Sequence, residues 1–281
     1  MRKIDELLQR VPPDHFFHYT SPNGLLGIMQ DQEIWVSSAY HLNDSREFRY
    51  ATSLIIERLK ERGKCEQGPN NQIYGRLLDD MSTLTSRVSV FVASFSEEGD
   101  LLSQWLAYSG APNGYAVGFG PDHFSAAKEA GFQLVQSVYE KHEQVALADA
   151  VIDVLCEQFG FSEGGPIQHD LGKTLTAAAA MKHPGFSREA EWRLVKTIGA
   201  GLGLQNGLCF RQGRNGVVPY LKAPLASERE EFIPKSMHIG PSEDAEASRM
   251  AVCALLDSRG LLPSLGNRRV DVMVSKTPYR P

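Results

Sequence analysis

The chain has 281 residues, of which 42% are hydrophobic and 22% are charged, and its formal net charge is −5. This composition is typical of a globular protein with a sizeable core. The negative net charge argues against non-specific electrostatic binding to nucleic acid. The four cysteines are widely spaced and form no Cys-x-x-Cys pair, which argues against a zinc site or a disulfide framework.

The N-terminal residues lack the apolar segment of a secretory signal. No apolar run approaches the roughly 18 residues that a membrane span requires. We therefore expect a cytoplasmic, bacterial protein that works without a membrane.

The first half of the chain predicts short strands separated by helices. Residues 3–11 predict an amphipathic helix that Pro12 and Pro13 end. A buried strand then begins at Phe16, and Ser21 is a good N-cap for the helix that follows it. The next predicted elements are the strands Glu33–Ser37, Val88–Phe95 and Tyr115–Phe119, and the helices about 45–62, 72–86 and Leu101–Tyr108.

The second half mixes helices and strands without a regular βαβ rhythm. Helices are predicted at 121–130, 141–159, 167–182 and about 242–258, and strands at 132–139, from Glu191, at 207–212 and 217–222 as a hairpin, at Phe232–Ile239 and at 270–275. This order predicts an α+β fold with a split, mostly antiparallel sheet and helices packed around it. We expect a single domain over residues 1–281, with helical insertions at about 45–86 and 141–183.

His18, Tyr19 and Thr20 lie at a predicted strand end beside a helix N-terminus. Catalytic and anion-binding groups often collect at such junctions. A histidine next to two phenylalanines is also typical of a hydrogen-bonded core residue. Alternation turns Tyr19 to the opposite face from His18, which predicts that Tyr19 packs in the core.

Glu189-Ala190-Glu191 lies at the start of a predicted strand, where alternation would put both carboxylates on one face about 7 Å apart. One carboxylate could hold a sugar hydroxyl and stabilise a developing positive charge, while the other orients an acceptor or water. The alternative is a solvated strand edge on which Arg188 and Arg193 pair with the two acids.

Two further segments allow a structural or a binding interpretation. Asn43, with Asp44 and Glu47 after it, is typical of a helix cap with a first-turn acid and could also bind a ligand. Trp105 and Tyr108 share a helix face, as core residues or as a stacking wall for a flat ring. The common phosphate-loop, zinc-protease and serine-hydrolase motifs are absent from the sequence.

In their order along the chain, several short segments resemble a large bacterial family of unknown function. The segments are His18-Tyr19-Thr20-Ser21 with Gly24-Leu25, Trp35-Val36-Ser37 with Leu42-Asn43-Asp44 and Glu47, Ser94-Phe95-Ser96-Glu97 with Gln104-Trp105 and Tyr108, Gly114 with Gly118-Phe119, Glu189-Ala190-Glu191-Trp192-Arg193, Ile239-Gly240-Pro241, and Ser275 with Pro278-Tyr279-Arg280. The resemblance covers most of the chain and implies no activity.

A more distant resemblance implies a chemistry. A strand with a histidine and Thr/Ser, a following helix, a strand carrying a serine and a late Glu-x-Glu strand are similar to the ADP-ribosyltransferase fold. The closest match is its His-Tyr-Glu branch, which includes DNA-modifying toxins and RNA 2′-phosphotransferases. The resemblance implies that the chain shares this fold, that NAD is the substrate and that no metal is needed.

The same resemblance implies roles for individual residues. His18 would bond the adenosine ribose of NAD, and either Tyr108 or Tyr40 would stack on nicotinamide. Glu191 would bind the nicotinamide ribose and stabilise an oxocarbenium-like transition state, while Glu189 would orient the acceptor. The other residues expected at the NAD site are Tyr19, Thr20, Ser37, Asn43 and Trp105. The chain departs from the family pattern in that no single position is marked as the aromatic residue of the triad.

Three functions follow as hypotheses. The first is an ADP-ribosyltransferase or NAD glycohydrolase, acting on a nucleic acid or protein acceptor as a defence or toxin effector. The second is a non-catalytic module on the same fold that binds a nucleotide or a partner protein. The third is a phosphotransferase acting on RNA ends, which would use a basic cluster drawn from Arg46, Arg49, Arg193, Arg211 and Arg214.

Overall fold

A computed structural model of the protein describes residues 2–41, 45–65, 70–109, 113–160, 171–199, 205, 207–213, 216–226, 231–261 and 270–278. The α-helices in these ranges are α1 (Arg2–Leu8), α2 (Pro22–Asp31), α3 (Ser45–Cys65), α4 (Asn70–Arg87), α5 (Leu102–Tyr108), α6 (Ser125–Glu129), α7 (Lys141–Gly160), α8 (Leu171–Ala180) and α9 (Ala245–Asp257). The strands are β1 (Phe16–Thr20), β2 (Glu33–Ser38), β3 (Val88–Ser96), β4 (Tyr115–Phe119), β5 (Gln133–Gln136), β6 (Glu191–Gly199), β7 (Cys209–Gly213), β8 (Gly216–Pro224), β9 (Ser236–Ile239) and β10 (Asp271–Val274).

The ten strands of the described residues belong to one branched sheet. β6 pairs along the whole of one edge of β3, and β5 pairs with β6. The other edge of β3 is shared: β1 continues outward to β4, β9 and β10, and β2 continues to β8 and β7. The β9–β10 pairing is parallel and every other pairing between the described strands is antiparallel, so the predicted α+β fold with a mostly antiparallel sheet is confirmed.

The sheet separates two hydrophobic cores. On face 1, which carries Val90, Val92 and Val195, the strands pack against α3, α7 and α8. On face 2, which carries Phe91 and Phe95, they pack against α2, α6 and α9. Each face therefore has its own layer of helices.

The predicted hairpin at 207–212 and 217–222 corresponds to β7 and β8, and β6 begins at Glu191 as predicted. The prediction that Glu189 and Glu191 lie on one face of the same strand is wrong. Glu189 ends a short 3₁₀-helix, Pro184–Glu189, and Ala190 adopts a left-handed conformation with φ of 41° and ψ of 55°. The extended chain begins only at Glu191, so the two acids do not alternate along one strand.

Among the described helices, none is both long and apolar enough to cross a membrane. The longest, α3, has 21 residues and carries several charged side chains. The long apolar stretches of the chain lie instead in the two cores of the sheet.

Candidate functional site

A cleft of about 1530 Å³ opens where β1 and β2 separate from each other on the edge of β3. β1 pairs with β3 where Phe17 lies opposite Ser96. β2 pairs with β3 further along the same edge, where Ser37 lies opposite Val92 and Ser38 lies opposite Phe91. The described pairings thus leave the edge at Ala93–Phe95 without a neighbouring strand. The two strand ends form the walls of the cleft, and this segment of β3 lies at its base.

His18 lies on the wall formed by β1. Its Nδ1 is 2.9 Å from the carbonyl oxygen of Ser94, a group on the unpaired stretch of β3. Because a carbonyl oxygen only accepts, Nδ1 carries the proton and donates it. Burial lowers the pKa of His18, and the bond to Ser94 opposes this shift only in part. The imidazole is therefore neutral at neutral pH, and its Nε2 is a hydrogen-bond acceptor.

The cleft collects most of the side chains that the sequence singled out. Those that line it are His18, Tyr19, Thr20, Ser37, Tyr40, Tyr108 and Glu191. Trp105 and Glu189 are described residues that do not line it, and Asn43 lies outside the described residues. Glu191, Ser96 and Phe17 form one cross-strand row, so the backbones of Glu191 and Phe17 are about 10 Å apart by strand spacing.

Tyr19 and Trp105 are packing residues in this structure, as strand alternation predicted for Tyr19. Trp105 has no exposed surface, its ring meets that of Tyr19 edge-on at 4.6 Å, and its Nε1 donates to Asp100. The Tyr19 hydroxyl donates to the Glu98 carbonyl oxygen and accepts from the Leu101 N–H. The expected stacking wall of Trp105 is therefore not on the cleft, because the indole anchors α5 to the sheet instead.

Tyr40 and Tyr108, the two tyrosines considered for stacking on nicotinamide, both line the cleft. Tyr40 follows β2, and its ring meets Phe48 edge-on at 5.2 Å. The Tyr40 hydroxyl is buried and has no hydrogen-bond partner among the described residues, and burial raises its pKa to about 12. Tyr108 ends α5 and is half-buried. The neutral Tyr40 hydroxyl, which has no partner among the described residues, can donate a hydrogen bond to a ligand.

Glu191 lies in a buried cluster of ions. Its Oε1 accepts from Nε of Arg193 at 2.9 Å, and its Oε2 accepts from Nη2 of Arg193 at 3.0 Å and from Nζ of Lys182 at 2.5 Å. The other guanidinium nitrogen, Nη1, donates to the carbonyl oxygen of Ala179 at 2.7 Å. The backbone N–H of Glu191 donates to the hydroxyl of Tyr139. These contacts fix the carboxylate at the start of β6.

Lys182 was missed by the sequence analysis. Its side chain is only 1% exposed, and Nζ also lies 2.7 Å from Oε2 of Glu189. Lys182 thus joins Glu189, which is outside the cleft lining, to Glu191, which is inside it. The sequence does contain a feature that could have predicted this role: Lys182 directly follows the apolar run Ala177–Met181. A charged side chain in such surroundings is buried only when it is paired with an opposite charge.

The cluster keeps Glu191 ionised. Burial alone would raise the pKa of Glu191, but the charges and hydrogen bonds of Arg193 and Lys182 outweigh it and lower the pKa to about 2. A carboxylate offers about four acceptor positions, and the described contacts of Glu191 use three of them. The anion therefore retains the capacity to accept one hydrogen bond from a ligand.

Arg211 is a second cation in the cleft. Nη2 donates to the hydroxyl of Ser37 at 3.0 Å. Of the other arginines considered for an RNA-end enzyme, Arg193 is held by Glu191 and Ala179, and Arg214 lies outside the described residues. In the described part of the chain, no three His, Cys, Asp or Glu side chains come together as a metal site would require.

Comparison with known proteins gives one match. Neither the curated proteins nor the solved structures include a match to this chain. The matched family model covers the segment from Gln104 on α5 to Leu194 on β6, which contains Tyr108, Lys182 and Glu191. Over residues 104–194 the chain is similar to the family described as Protein of unknown function (DUF2971), which confirms the resemblance to a family without a known activity in that segment.

Proposed function

We propose that the protein cleaves NAD, as an ADP-ribosyltransferase or an NAD glycohydrolase. The observation that carries this proposal is the meeting of His18, Tyr108 and Glu191 in one cleft at the split of the sheet. These residues come from β1, α5 and β6, which are far apart in sequence. The volume of about 1530 Å³ exceeds the roughly 300–1,000 Å³ of common small-molecule sites and suits a dinucleotide.

Glu191 supplies the electrostatic part of the chemistry. In the proposed reaction the bond between nicotinamide and ribose C1′ breaks, and its electron pair leaves with nicotinamide. The positive charge that develops on the ribose is stabilised by the Glu191 carboxylate, which is ionised at all ordinary pH values. Water or an acceptor nucleophile then bonds to C1′ and loses a proton.

The other residues hold the substrate in this proposal. Neutral His18 accepts a hydrogen bond from the adenosine ribose through Nε2. Tyr108 stacks on nicotinamide, and the unpartnered hydroxyl of Tyr40 donates to a polar group of the ligand. Thr20 and Ser37 add hydroxyls to the same walls.

Glu189 takes a different part from the one that the resemblance implied. Its carboxylate contacts Lys182, and it is not among the residues that line the cleft. In this proposal Glu189 acts on the site through Lys182, as its counter-ion. The acceptor would then be oriented by other groups.

The test is nicotinamide release from NAD by the purified chain, with protein, DNA and RNA added in turn as acceptors. We expect Glu191→Gln to lower kcat by at least about 100-fold, because a neutral amide cannot balance the oxocarbenium charge. The matched control is Glu246→Gln, since Glu246 lies on α9 and pairs with Arg249 on the surface. We expect this control to keep the rate of the wild-type chain.

The proposal of NAD cleavage fails if the wild-type chain releases no nicotinamide with any acceptor, whether or not it binds NAD. It also fails if folded Glu191→Gln retains full activity. Melting curves of both variants establish that they are folded under the assay conditions.

A second candidate is a non-catalytic nucleotide-binding module. The observation in its favour is that three acceptor positions of Glu191 are already used by Arg193 and Lys182. Under this hypothesis the ion cluster stabilises the fold and the cleft only binds. Tight binding of NAD without nicotinamide release, unchanged in Glu191→Gln, would favour this candidate.

A further inference from the structure

The part of the sheet formed by β2, β8 and β7 has an exposed area on face 1. α2 and α6, the helices that pack against β2 and β8, do so on face 2. Trp35 shares face 1 with Ser37 because the two are separated by one residue on β2. The indole is 43% exposed although it lies on an inner strand of the sheet, and it lines the outer part of the cleft.

The exposed indole packs against a neighbouring ring on the same face of the sheet. Tyr220 lies opposite Ser37 on β8, and its ring is 4.6 Å from the Trp35 ring at an interplanar angle of 32°. Tyr220 itself is 7% exposed. Trp35 thus presents one aromatic face to the cleft without having to be ordered when a ligand binds, which suits the stacking of a flat ring.

A cationic donor lies beside this ring. Arg211 reaches across β8 to Ser37, which is two residues from Trp35 on the same face of β2, so the residue that the guanidinium contacts lies about 7 Å from Trp35 by strand rise. Nε of Arg211 is buried and has no hydrogen-bond partner among the described residues. A buried donor of this kind, next to an aromatic face, fits the phosphate of a nucleotide whose base stacks on that face.

We propose that Trp35 and Arg211 form the adenylate subsite of the cleft, in which the purine base stacks on Trp35 and a phosphate accepts a hydrogen bond from Arg211. The large indole face matches a bicyclic purine better than a single ring. The subsite rests on the proposed function only for the identity of the nucleotide, which would be the adenylate half of NAD. It lies on the β2 branch of the sheet, apart from Glu191 on β6.

The experiment is calorimetric titration of the full chain with ADP-ribose, AMP and adenosine. We expect Trp35→Leu to weaken all three roughly 5- to 100-fold, because it removes the stacked face. We expect Arg211→Gln to weaken AMP and ADP-ribose about 10-fold and to leave adenosine within twofold, because adenosine has no phosphate.

Phe210→Leu is the matched control. Phe210 precedes Arg211 on β7 and is 62% exposed, but alternation turns it to the opposite face of the sheet. We expect this variant to bind all three ligands as the wild-type chain does.

The outcomes separate the subsite from the catalytic proposal. The subsite is wrong if the wild-type chain does not bind AMP or ADP-ribose at millimolar concentration, or if Trp35→Leu binds them as Phe210→Leu does. If Trp35→Leu loses ADP-ribose binding and the wild-type chain releases no nicotinamide, the subsite is supported and NAD cleavage is refuted. If the wild-type chain releases nicotinamide and Trp35→Leu has the same KM for NAD, the subsite is refuted and NAD cleavage is supported.

Discussion

Lys182 is the residue on which the ion cluster of the cleft depends. Its ammonium group bridges two carboxylates at 2.5 and 2.7 Å, and all three side chains are largely removed from water. Bringing charges into such a site is costly, and the cost is offset only while every charge keeps its partners. The cluster is therefore sensitive to the loss of any one member.

We predict that Lys182→Met lowers the free energy of unfolding by about 3–5 kcal/mol, because it leaves buried carboxylates without their counter-ion. Lys173→Met is the control: Lys173 is on α8 and pairs with Asp5, whose side chain is 59% exposed, so we expect a loss below about 1 kcal/mol. Urea unfolding measures both. Equal losses in the two variants would show that Lys182 is not a buried partner of Glu191. Adding Glu189→Gln to Lys182→Met should restore part of the loss.

The titration of Glu191 predicts an acid-labile fold. The pKa of Glu191 is about 2 in the folded chain, below its ordinary value of 4.5. The ionised carboxylate therefore contributes stability above pH 4.5, and this contribution is lost as the pH falls from 4.5 to 2, where the unfolded chain binds a proton and the folded chain does not. The contribution is on the order of 3 kcal/mol.

The measurement is the free energy of unfolding in urea at several pH values between 6 and 2.5. We expect the wild-type curve to fall more steeply than that of Glu191→Gln, because the variant has no carboxylate to titrate at this position. Parallel curves for the two proteins would contradict the lowered pKa.

At the scale of elements, the corner between the 3₁₀-helix and β6 aims the carboxylate of Glu191. Ala190 turns the chain in a left-handed conformation, which costs a residue with a Cβ about 1–2 kcal/mol. Its carbonyl oxygen accepts from the N–H of Glu97, and the carbonyl oxygen of Glu189 accepts from the hydroxyl of Ser96. These two hydrogen bonds, from Ser96 and Glu97 at the end of β3, thus stabilise the unfavourable left-handed conformation of Ala190.

We predict that Ala190→Gly stabilises the chain by about 0.5–1 kcal/mol, because glycine adopts this conformation without strain, and part of the gain is lost to unfolded-state entropy. Ala251→Gly is the matched control of opposite sign. Ala251 is exposed within α9, where glycine should cost about 1 kcal/mol. Thermal or urea unfolding distinguishes the two, and a loss of stability in Ala190→Gly would contradict the strain at this corner.

Local patterns predict the elements of this fold better than the corners between them. The strand–cap–helix start at Phe16, Ser21 and Pro22 follows from β-propensity and capping, and the structure shows Ser21 accepting from the N–H of Gly24. The left-handed turn at Ala190 could not be predicted, because alanine carries no preference for it and contacts from β3 stabilise it. Burial of Lys182 likewise depends on acids that are brought to it by the fold.

At the scale of the whole molecule, the C-terminal segment is tied to the cleft through Asp100. The carboxylate of Asp100 accepts from Trp105 Nε1 at 2.8 Å on α5, and from the Lys276 N–H at 2.8 Å and Thr277 Oγ1 at 3.1 Å after β10. Burial would raise the pKa of Asp100, but the hydrogen bond from the Ser275 hydroxyl, together with those from Trp105, Lys276 and Thr277, lowers it. α5 carries Tyr108 into the cleft, so the end of the chain helps to hold one wall of the site.

We predict that Asp100→Ala speeds hydrogen exchange in α5 and in residues 271–277 while leaving α7 unchanged, because the hydrogen bonds that join these two segments are lost. Asp257→Ala is the control, since Asp257 is exposed at the end of α9. Hydrogen exchange read by mass spectrometry resolves the three regions. Unchanged exchange in α5 would show that Asp100 does not link the C-terminal segment to this wall.

The branched pairing of β3 also has a consequence for synthesis of the chain on the ribosome. The partner of β3 on one edge, β6, is made about a hundred residues later, which takes roughly 5–20 s at common rates of protein synthesis. During that interval β3 has an open edge that can pair with other chains, and Glu191 and Arg211 have not yet been made. A chain that ends before β6 therefore lacks Glu191 and Arg211, so any activity of this protein begins only after the strands that line the cleft, the last of which is β8, have emerged.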